Sequence, residues 1–302
     1  MESGTTHISV CICTYKRPQL LHHLLEKLQH LKTDGLFTYS IVLVDNDANE
    51  SAQPAFHFFE HKSPVNISYY LEPEQNIALA RNKAVKNARG DFVAFVDDDE
   101  VPNDEWLVDL FHAQRKFNAD GVLGPVKPRF ETEPPAWVIK GRLCERESFE
   151  TGFVMNKPEY TRTGNVLLDK KLFGGIDAPF DPRFGRTGGE DVDFFKNMIR
   201  KGKLFVWCNE AFVSESVPPQ RMKRSYFLKR ALLRGVANSE KVSFLSFGVL
   251  KSMTALGLYT VALPALLLYR HDLFMKYLIK DCDHLGKLLA LCGVRIVASR
   301  SF

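Results

Sequence analysis

Cysteine is scarce in this chain, with six among 302 residues, too few for a disulfide scaffold. Cys11 and Cys13 lack C-x-x-C spacing and have no partner ligands nearby, which argues against a redox dithiol or a zinc site. Two positions apart in an apolar run, they are expected on one face of a strand as small buried residues. A reducing, cytosolic setting fits this usage. Residues 1–7 contain neither a basic stretch nor a long apolar one, so no secretory signal is expected and the fold is expected to begin in the cytoplasm. A strong charge of one sign is also missing. Forty basic against thirty-six acidic residues leave a net +4 and a pI near 8.6, too mild for nucleic acid to be the main partner. No internal repeat or low-complexity tract is evident. Apolar residues at 45% and charged residues at 25% are ordinary globular usage, which excludes disordered, collagen-like and coiled-coil chains.

The first half of the chain alternates strand-like and helix-like segments. Residues 7–14 (HISVCICT), 39–44 (YSIVLV), 66–71 (NISYYL) and 91–96 (DFVAFV) read as four strands. Pro18 opens a helical stretch over 19–31 with leucines at helical spacing, and 77–88 is alanine-rich and helical, closed by Gly90. Such β-α-β alternation predicts a mostly parallel sheet with helices on its faces, and ligands beyond the C-terminal strand ends. Three of those ends carry polar residues suited to a ligand: Thr14-Tyr15-Lys16-Arg17, Asp45-Asn46-Asp47 and Asp97-Asp98-Asp99-Glu100. Residues 131–184 are rich in proline, glycine and charge, as loops and short strands shaping an acceptor site would be. Gly188-Gly189 then leads into a helix beginning near Glu190-Asp191 and running through Arg200, with a further strand over 203–208.

Beyond residue 219 the texture changes. Arg221, Lys223, Arg224, Lys229, Arg230, Arg234 and Lys241 face a single acid, Glu240, and residues 252–269 carry no charge at all. A second apolar stretch, 285–298, is interrupted by Lys287 and Arg295. Two domains are therefore expected, 1–219 and 220–302.

Four successive acids after an apolar strand repel one another, and a divalent cation would relieve that repulsion. If the strand geometry persists, Asp97 and Asp99 point to one side. Two carboxylates together with substrate phosphates make a magnesium or manganese site. The alternative is a solvated acidic turn capping the helix that includes Trp106 and Leu107.

The run SVCICTYKRP, the strand ending VLVDND, the segment NIALARNKA, the strand FVAFVDDDEVP with its D-x-D, and the later GGEDVDF occur in that order over about residues 7–215. Together they resemble the family 2 inverting glycosyltransferases. The resemblance implies the GT-A nucleotide-diphospho-sugar transferase fold, here with a C-terminal apolar helical extension like that of the bacterial exopolysaccharide and envelope-glycan branch. It places Thr14 and Arg17 in the loop that meets the nucleotide, Asp45 at the base or ribose, Arg81 near the donor, and Asp97 and Asp98 beside the ribose and sugar. Asp99 would bind Mg2+ or Mn2+. Asp191 would be the catalytic base, with Glu190 and Arg221 in the acceptor region. Simpler roles stand beside three of these: a turn cap for Asp45, an exposed helix charge for Arg81, and a helix N-terminal acid for Asp191.

Many relatives complete the metal site with a histidine after the strand that follows the E-D helix. Here that stretch reads AFVSESV and offers Glu215, so the completing ligand stays open at this point. The processive enzymes' Q-x-x-R-W motif is missing as well, which favours single additions. The implied partners are a nucleoside-diphosphate sugar, most readily a UDP-sugar, and a glycan or lipid-linked acceptor. The basic and apolar C-terminal region adds an anionic membrane surface, met peripherally or as a re-entrant hairpin on the cytoplasmic face of the cell membrane. Two other readings remain: an inactive membrane-attached sugar-binding protein, and a sugar-phosphate nucleotidyltransferase. The second would need a glycine-rich phosphate loop where TYKRPQL stands.

Overall fold

The computed structural model describes residues 5–185, 188–239 and 247–294. The chain divides into two compact units. One comprises residues up to Lys127 together with Arg146–Glu215, the other Pro128–Glu145 with residues from Ser216 onward.

In the first unit, β1 (His7–Thr14), α1 (Pro18–Leu28), β2 (Thr38–Asp45), α2 (Gln53–Glu60), β3 (Ile67–Leu71), α3 (Ile77–Asn87) and β4 (Phe92–Val96) follow in order. The short β5 (Glu100–Pro102), α4 (Trp106–Phe117) and β6 (Gly121–Leu123) come next; β7 (Val126–Phe130) and α5 (Ala136–Lys140) lie at and beyond the border with the second unit. The chain returns to the first unit with β8 (Asn165–Asp169), α6 (Glu190–Arg200), β9 (Phe205–Trp207) and the start of β10 (Val213–Val217). Seven strands form one sheet in the order β3-β2-β1-β4-β8-β6-β9, in which β8 alone runs against the others. Strand order reverses between β1 and β4, the switch point at which ligands bind in open α/β sheets.

Period-two alternation sorts the core. Ile8, Val10 and Ile12 of β1 pack with leucines of α1, with Phe56 and Phe59 of α2 and with Trp106 and Phe111 of α4. Cys11, between them, packs on the other face with Ala78, Ala80 and Ala84 of α3 and Phe194, Phe195 and Met198 of α6. Cys13 packs against that same side, so the two cysteines share a face as small side chains. The alanines of α3 let that helix lie close to the sheet.

The strands and helices expected over 7–31, 39–44, 66–96 and 203–208 all form, with ends unchanged or shifted by up to three residues. Several elements escaped the sequence reading, among them the short strands β5, β6, β7 and β10 and the helices α2 and α5. So did β8, whose apolar Val166–Leu168 lie in the proline- and glycine-rich middle. Its first residue, Asn165, fastens the sheet. Its amide nitrogen donates to the carbonyls of Pro125, at 3.0 Å, and Ala211, at 2.7 Å, and its oxygen accepts from Trp106 Nε1 at 2.8 Å.

In the second unit, α7 (Arg224–Ser239), α8 (Phe247–Tyr269) and α9 (His271–Leu291) follow. A small core of Val138, Val217, Met222 and Phe227 binds α5 to the C-terminal helices. This is why the border falls near 216 rather than 220, and why Pro128–Glu145 belongs to this unit and not to the first domain as expected. Gly235 on α7 faces the backbone of Asp283, and Gly286 on α9 faces the carbonyl of Leu232. A side chain at either position would hold the two helices apart. The helix α8 is apolar over most of its surface, with Leu258 66%, Val261 81% and Leu268 80% exposed. The expectations for Glu240, Lys241 and Arg295 fall outside the described residues.

Replacing Asn165 with alanine leaves two carbonyls and one indole N–H without their partner in the core. At roughly 1–3 kcal/mol per orphaned group, the variant is expected to lose about 3 kcal/mol or more of unfolding free energy, read by urea denaturation.

Candidate active site

The polar ends of β1, β2 and β4 meet above the sheet. Strand β4 stops at Val96, and a tight turn follows, closed by the Glu100 N–H donating to the Asp97 carbonyl at 3.0 Å. Strand alternation therefore does not persist. Asp97 lies beside Arg81 and Asp99 beside Arg17.

Arg17, at the N-terminal cap of α1, donates through Nη1 to Asp98 Oδ1 at 2.9 Å and to Asp99 Oδ2 at 3.1 Å. Thr14 Oγ1 donates to the other Asp98 oxygen at 2.7 Å. The loop after β1 and the acids after β4 are thus one hydrogen-bonded group. Burial pushes Asp98 up to about 6, against the pull of Arg17. Neither Asp99 nor Glu100 caps α4, whose cap position is Glu105.

Arg81, on α3, is buried, not an exposed helix charge. Its guanidinium pairs with Glu190 and lies 3.6 Å from Asp97 Oδ1. Burial works against its charge, but Glu190 and Asp97 outweigh that and raise its pKa. Asp97, whose side chain is half-exposed, has its pKa raised by the loss of part of its hydration and by the nearby Asp99, with Arg81 opposing. Glu190 is raised by burial, with Arg81 opposing. Gly188 and Gly189, at φ +86° and +99°, bring the chain into α6, whose first turn carries Glu190, Asp191 and Asp193 at the positive end of the helix dipole. Asp191 Oδ1 accepts from the Val192 N–H at 2.8 Å.

Asp45 is fully buried. Its Oδ1 accepts from the Asp47 N–H at 3.0 Å, and its Oδ2 from the Ala52 N–H at 2.7 Å and from Tyr69 Oη at 3.1 Å. In this structure it holds the turn after β2. Glu215 pairs with Arg146 in the first unit. Arg221 lies in the second unit, on a 3-10 turn over Pro219–Met222.

Sequence reasoning missed several positioning residues. The amide of Asn46 donates to the carbonyls of Glu72 at 2.9 Å and Glu74 at 2.5 Å, and its oxygen accepts from the Asn76 N–H at 2.9 Å. Asn76 in turn caps α3, accepting from Ala78 and Leu79. An asparagine directly before a helical pattern is a readable cap signal. Tyr69 and Arg146 had no comparable local signal.

Among the described residues no set of three or more Asp, Glu, His or Cys is arranged to hold a metal ion on its own. Asp97 and Asp99 offer hard oxygen atoms beside the strand ends, a donor set that fits Mg2+ or Mn2+ when a substrate's diphosphate supplies further ligands.

A mostly parallel sheet with this switch point, acids beyond β4 and an acidic helix start is the GT-A architecture of nucleotide-sugar glycosyltransferases. Comparison with known proteins agrees. The family described as glycosyl transferase family 2 matches residues 9–176. The succinoglycan biosynthesis protein ExoM of Rhizobium meliloti is 34% identical over 238 residues, covering 78% of this chain and 75% of ExoM. The hyaluronan synthase of Pasteurella multocida is 24% identical over 70% of this chain, which spans only 25% of that longer enzyme. Among solved structures, the mannosyltransferase PcManGT from Pyrobaculum calidifontis, in complex with GDP-Man and Mn2+, superposes with a TM-score of 0.63 at 16% identity, covering 97% of this chain and 89% of that one. S. aureus TarS 1-349, in complex with UDP-GlcNAc, gives a TM-score of 0.54 at 16% identity over 96% of this chain and 93% of that one. The chain belongs to glycosyl transferase family 2 and is a glycosyltransferase.

The raised pKa of Asp98 sets a pH dependence. Between pH of about 4 and 6 the folded state keeps a proton that the unfolded chain has released, so stability from this group falls as pH rises through that window. Asp98→Asn is expected to remove that fall, worth up to about 3 kcal/mol, and to change nothing in slope outside the window. Denaturation of parent and variant across a pH series checks it; a stability difference constant in pH would reject it.

Proposed function

We propose that this enzyme moves a sugar from a nucleoside-diphosphate sugar, most readily a UDP-sugar, to an acceptor hydroxyl with inversion at the anomeric carbon, Asp191 acting as base. The observation that carries the reading is the Arg81 bridge. Asp97, at the end of β4, and Glu190, next to Asp191, share one buried guanidinium. The acid expected beside the donor and the acids expected beside the acceptor therefore belong to one network.

In this reading the acceptor oxygen attacks the sugar carbon on the face opposite the diphosphate. Its proton passes to Asp191, and the diphosphate leaves with the electron pair of the broken C–O bond. Thr14, Arg17 and Asp98 shape the nucleotide side, and Arg81 fixes Glu190 at the start of α6. Asp99 with Asp97 would hold Mg2+ or Mn2+, which would supply charge neutralisation for the departing diphosphate. The GDP-Man and Mn2+ bound to PcManGT support the donor class and the ion. The similarity to ExoM supports polysaccharide biosynthesis, with a glycan or lipid-linked acceptor.

Asp191→Asn is expected to slow transfer by roughly 10²- to 10⁴-fold while donor binding by calorimetry stays near the parent's. Full activity in the variant overturns the assignment of the base. A parent protein that binds UDP-sugars but releases no UDP would instead make the chain an inactive sugar-binding protein.

The second unit supports attachment to the cytoplasmic face of the cell membrane. Among the described residues one helix, Gly248–Tyr269, is long and apolar enough to cross a bilayer. At 1.5 Å per residue the 23 residues of α8 extend about 35 Å, against a hydrocarbon core of about 30 Å. Pro264 interrupts it, and basic residues stand on both sides in sequence, Arg224 to Arg234 before it and Arg270 to Lys280 after it. Positive charge at both ends opposes a simple crossing and favours a peripheral or re-entrant seat on anionic lipid. Membrane fractions washed in high salt and then in detergent are expected to release the protein at one of those two steps. Recovery in the soluble fraction at low salt would reject attachment.

A further inference from the structure

Glu100 and Glu215 stand directly opposite each other where β5 pairs antiparallel with β10. Opposed residues share a face, and like charges there are destabilising. Glu100 is fully buried, and its Oε1 has no hydrogen-bond partner among the described residues. Asp97 closes the group. Both Glu100 oxygens and Asp97 Oδ2 lie within 2.9 Å of the point that a Cβ on Gly164 would occupy, so position 164 has no room for a side chain between them. Arg81 serves Asp97, 3.6 Å away, and Arg146 faces the two glutamates. The guanidinium of Arg146 pairs with Glu215 and lies 3.7 Å from Glu100 Oε1.

We propose that Arg146 is the resident counter-cation of this inner pocket and a positioning residue for the donor site. It keeps Glu100 and Glu215 as its own partners, so neither ligates a divalent ion, and the protein ligands of such an ion are restricted to Asp97 and Asp99. The restriction rests on the reading of Asp99 as the metal-side acid; the role of Arg146 does not. A guanidinium is permanently charged and presents a planar fork that two carboxylates can share. That places it where a hydrated ion would otherwise enter, and it keeps the turn after β4 in register with β10.

The test is titration with Mn2+ alone, followed by the electron paramagnetic resonance of the free ion, on the full chain as parent, Arg146→Gln, Glu215→Gln and the double variant. Without nucleotide, Arg146→Gln is expected to gain a Mn2+ site about ten-fold tighter than anything in the parent, and the double variant to lose it. With UDP present, Glu215→Gln is expected to keep the parent's Mn2+ affinity within about two-fold, whereas loss of a true ligand would cost about ten-fold or more. A folded Arg146→Gln protein with no gain overturns the proposal, and so does a ten-fold loss in Glu215→Gln. If Arg146→Gln fails to fold, the Glu215→Gln titration decides alone. A parent that binds no Mn2+ even with UDP removes the metal from the proposed function, while the nucleotide-free comparison still decides the role of Arg146.

Discussion

Taking an ionised carboxylate out of water costs several kcal/mol unless a cation and hydrogen bonds replace the solvent. The cleft above β1, β4 and β10 does this repeatedly, because Asp97, Asp98, Asp99, Glu100, Glu190 and Glu215 crowd the strand ends. Three arginines make the arrangement tolerable. Arg17 spans Asp98 and Asp99, Arg81 spans Asp97 and Glu190, and Arg146 spans Glu100 and Glu215. Each guanidinium joins its own segment to carboxylates distant in sequence, so the electrostatics also tie the elements together. The loop after β1 is fastened to the turn after β4, α3 to α6, and the start of the return segment to the β5–β10 pair.

The fold delivers these groups to one place through ordinary packing rules. Apolar alternation along β1 and β4 commits each face to helices, which leaves the strand ends as the exits for polar side chains. Reversal of strand order between β1 and β4 opens the crevice there. Asn46 and Asn76 then span the gap between the β2 turn and the start of α3, placing Arg81 one turn inside the helix, where its side chain reaches both Asp97 and Glu190. The two glycines before Glu190 do the same for α6, since a left-handed entry lets the chain arrive at a buried acid without a clash.

The first four strands, with α1 and α3, were legible in the sequence because their apolar periods are clean, and the polar strand ends expected to lie together do meet above the sheet. The geometry among the acids was not legible. Residue spacing implied a shared direction for Asp97 and Asp99, but the turn closed by Glu100 gave each a different arginine. Asp45 stood out as a ligand contact; what the sequence did not show is that its oxygens also hold the turn after β2 and accept from Tyr69 of β3, 24 residues later. Glu215 could be found by position, but its partner could not, because Arg146 lies in a segment with no periodic signal. Long-range pairing of this kind depends on β10, whose VSESV carries no run of apolar residues to mark it as a strand.

On the proposed reading, the charge balance also bears on how donor and cation meet. The arginines are already shared among more carboxylates than they can neutralise, and the acids respond by holding protons more tightly, as Asp97, Asp98 and Glu190 do. A diphosphate adds negative charge to that cleft. It enters favourably only as the acids keep or take up protons, as a divalent ion arrives beside Asp99, or as Arg17 turns part of its fork from the acids toward the phosphate. The last two routes make binding of the anion and of the cation mutually reinforcing, because the ion neutralises the phosphates and a guanidinium drawn to them frees a carboxylate for the ion. The reinforcement is equal in both directions by linkage. On that reading, the crowding of carboxylates around three shared arginines would favour a diphosphate accompanied by a hard cation over either component alone.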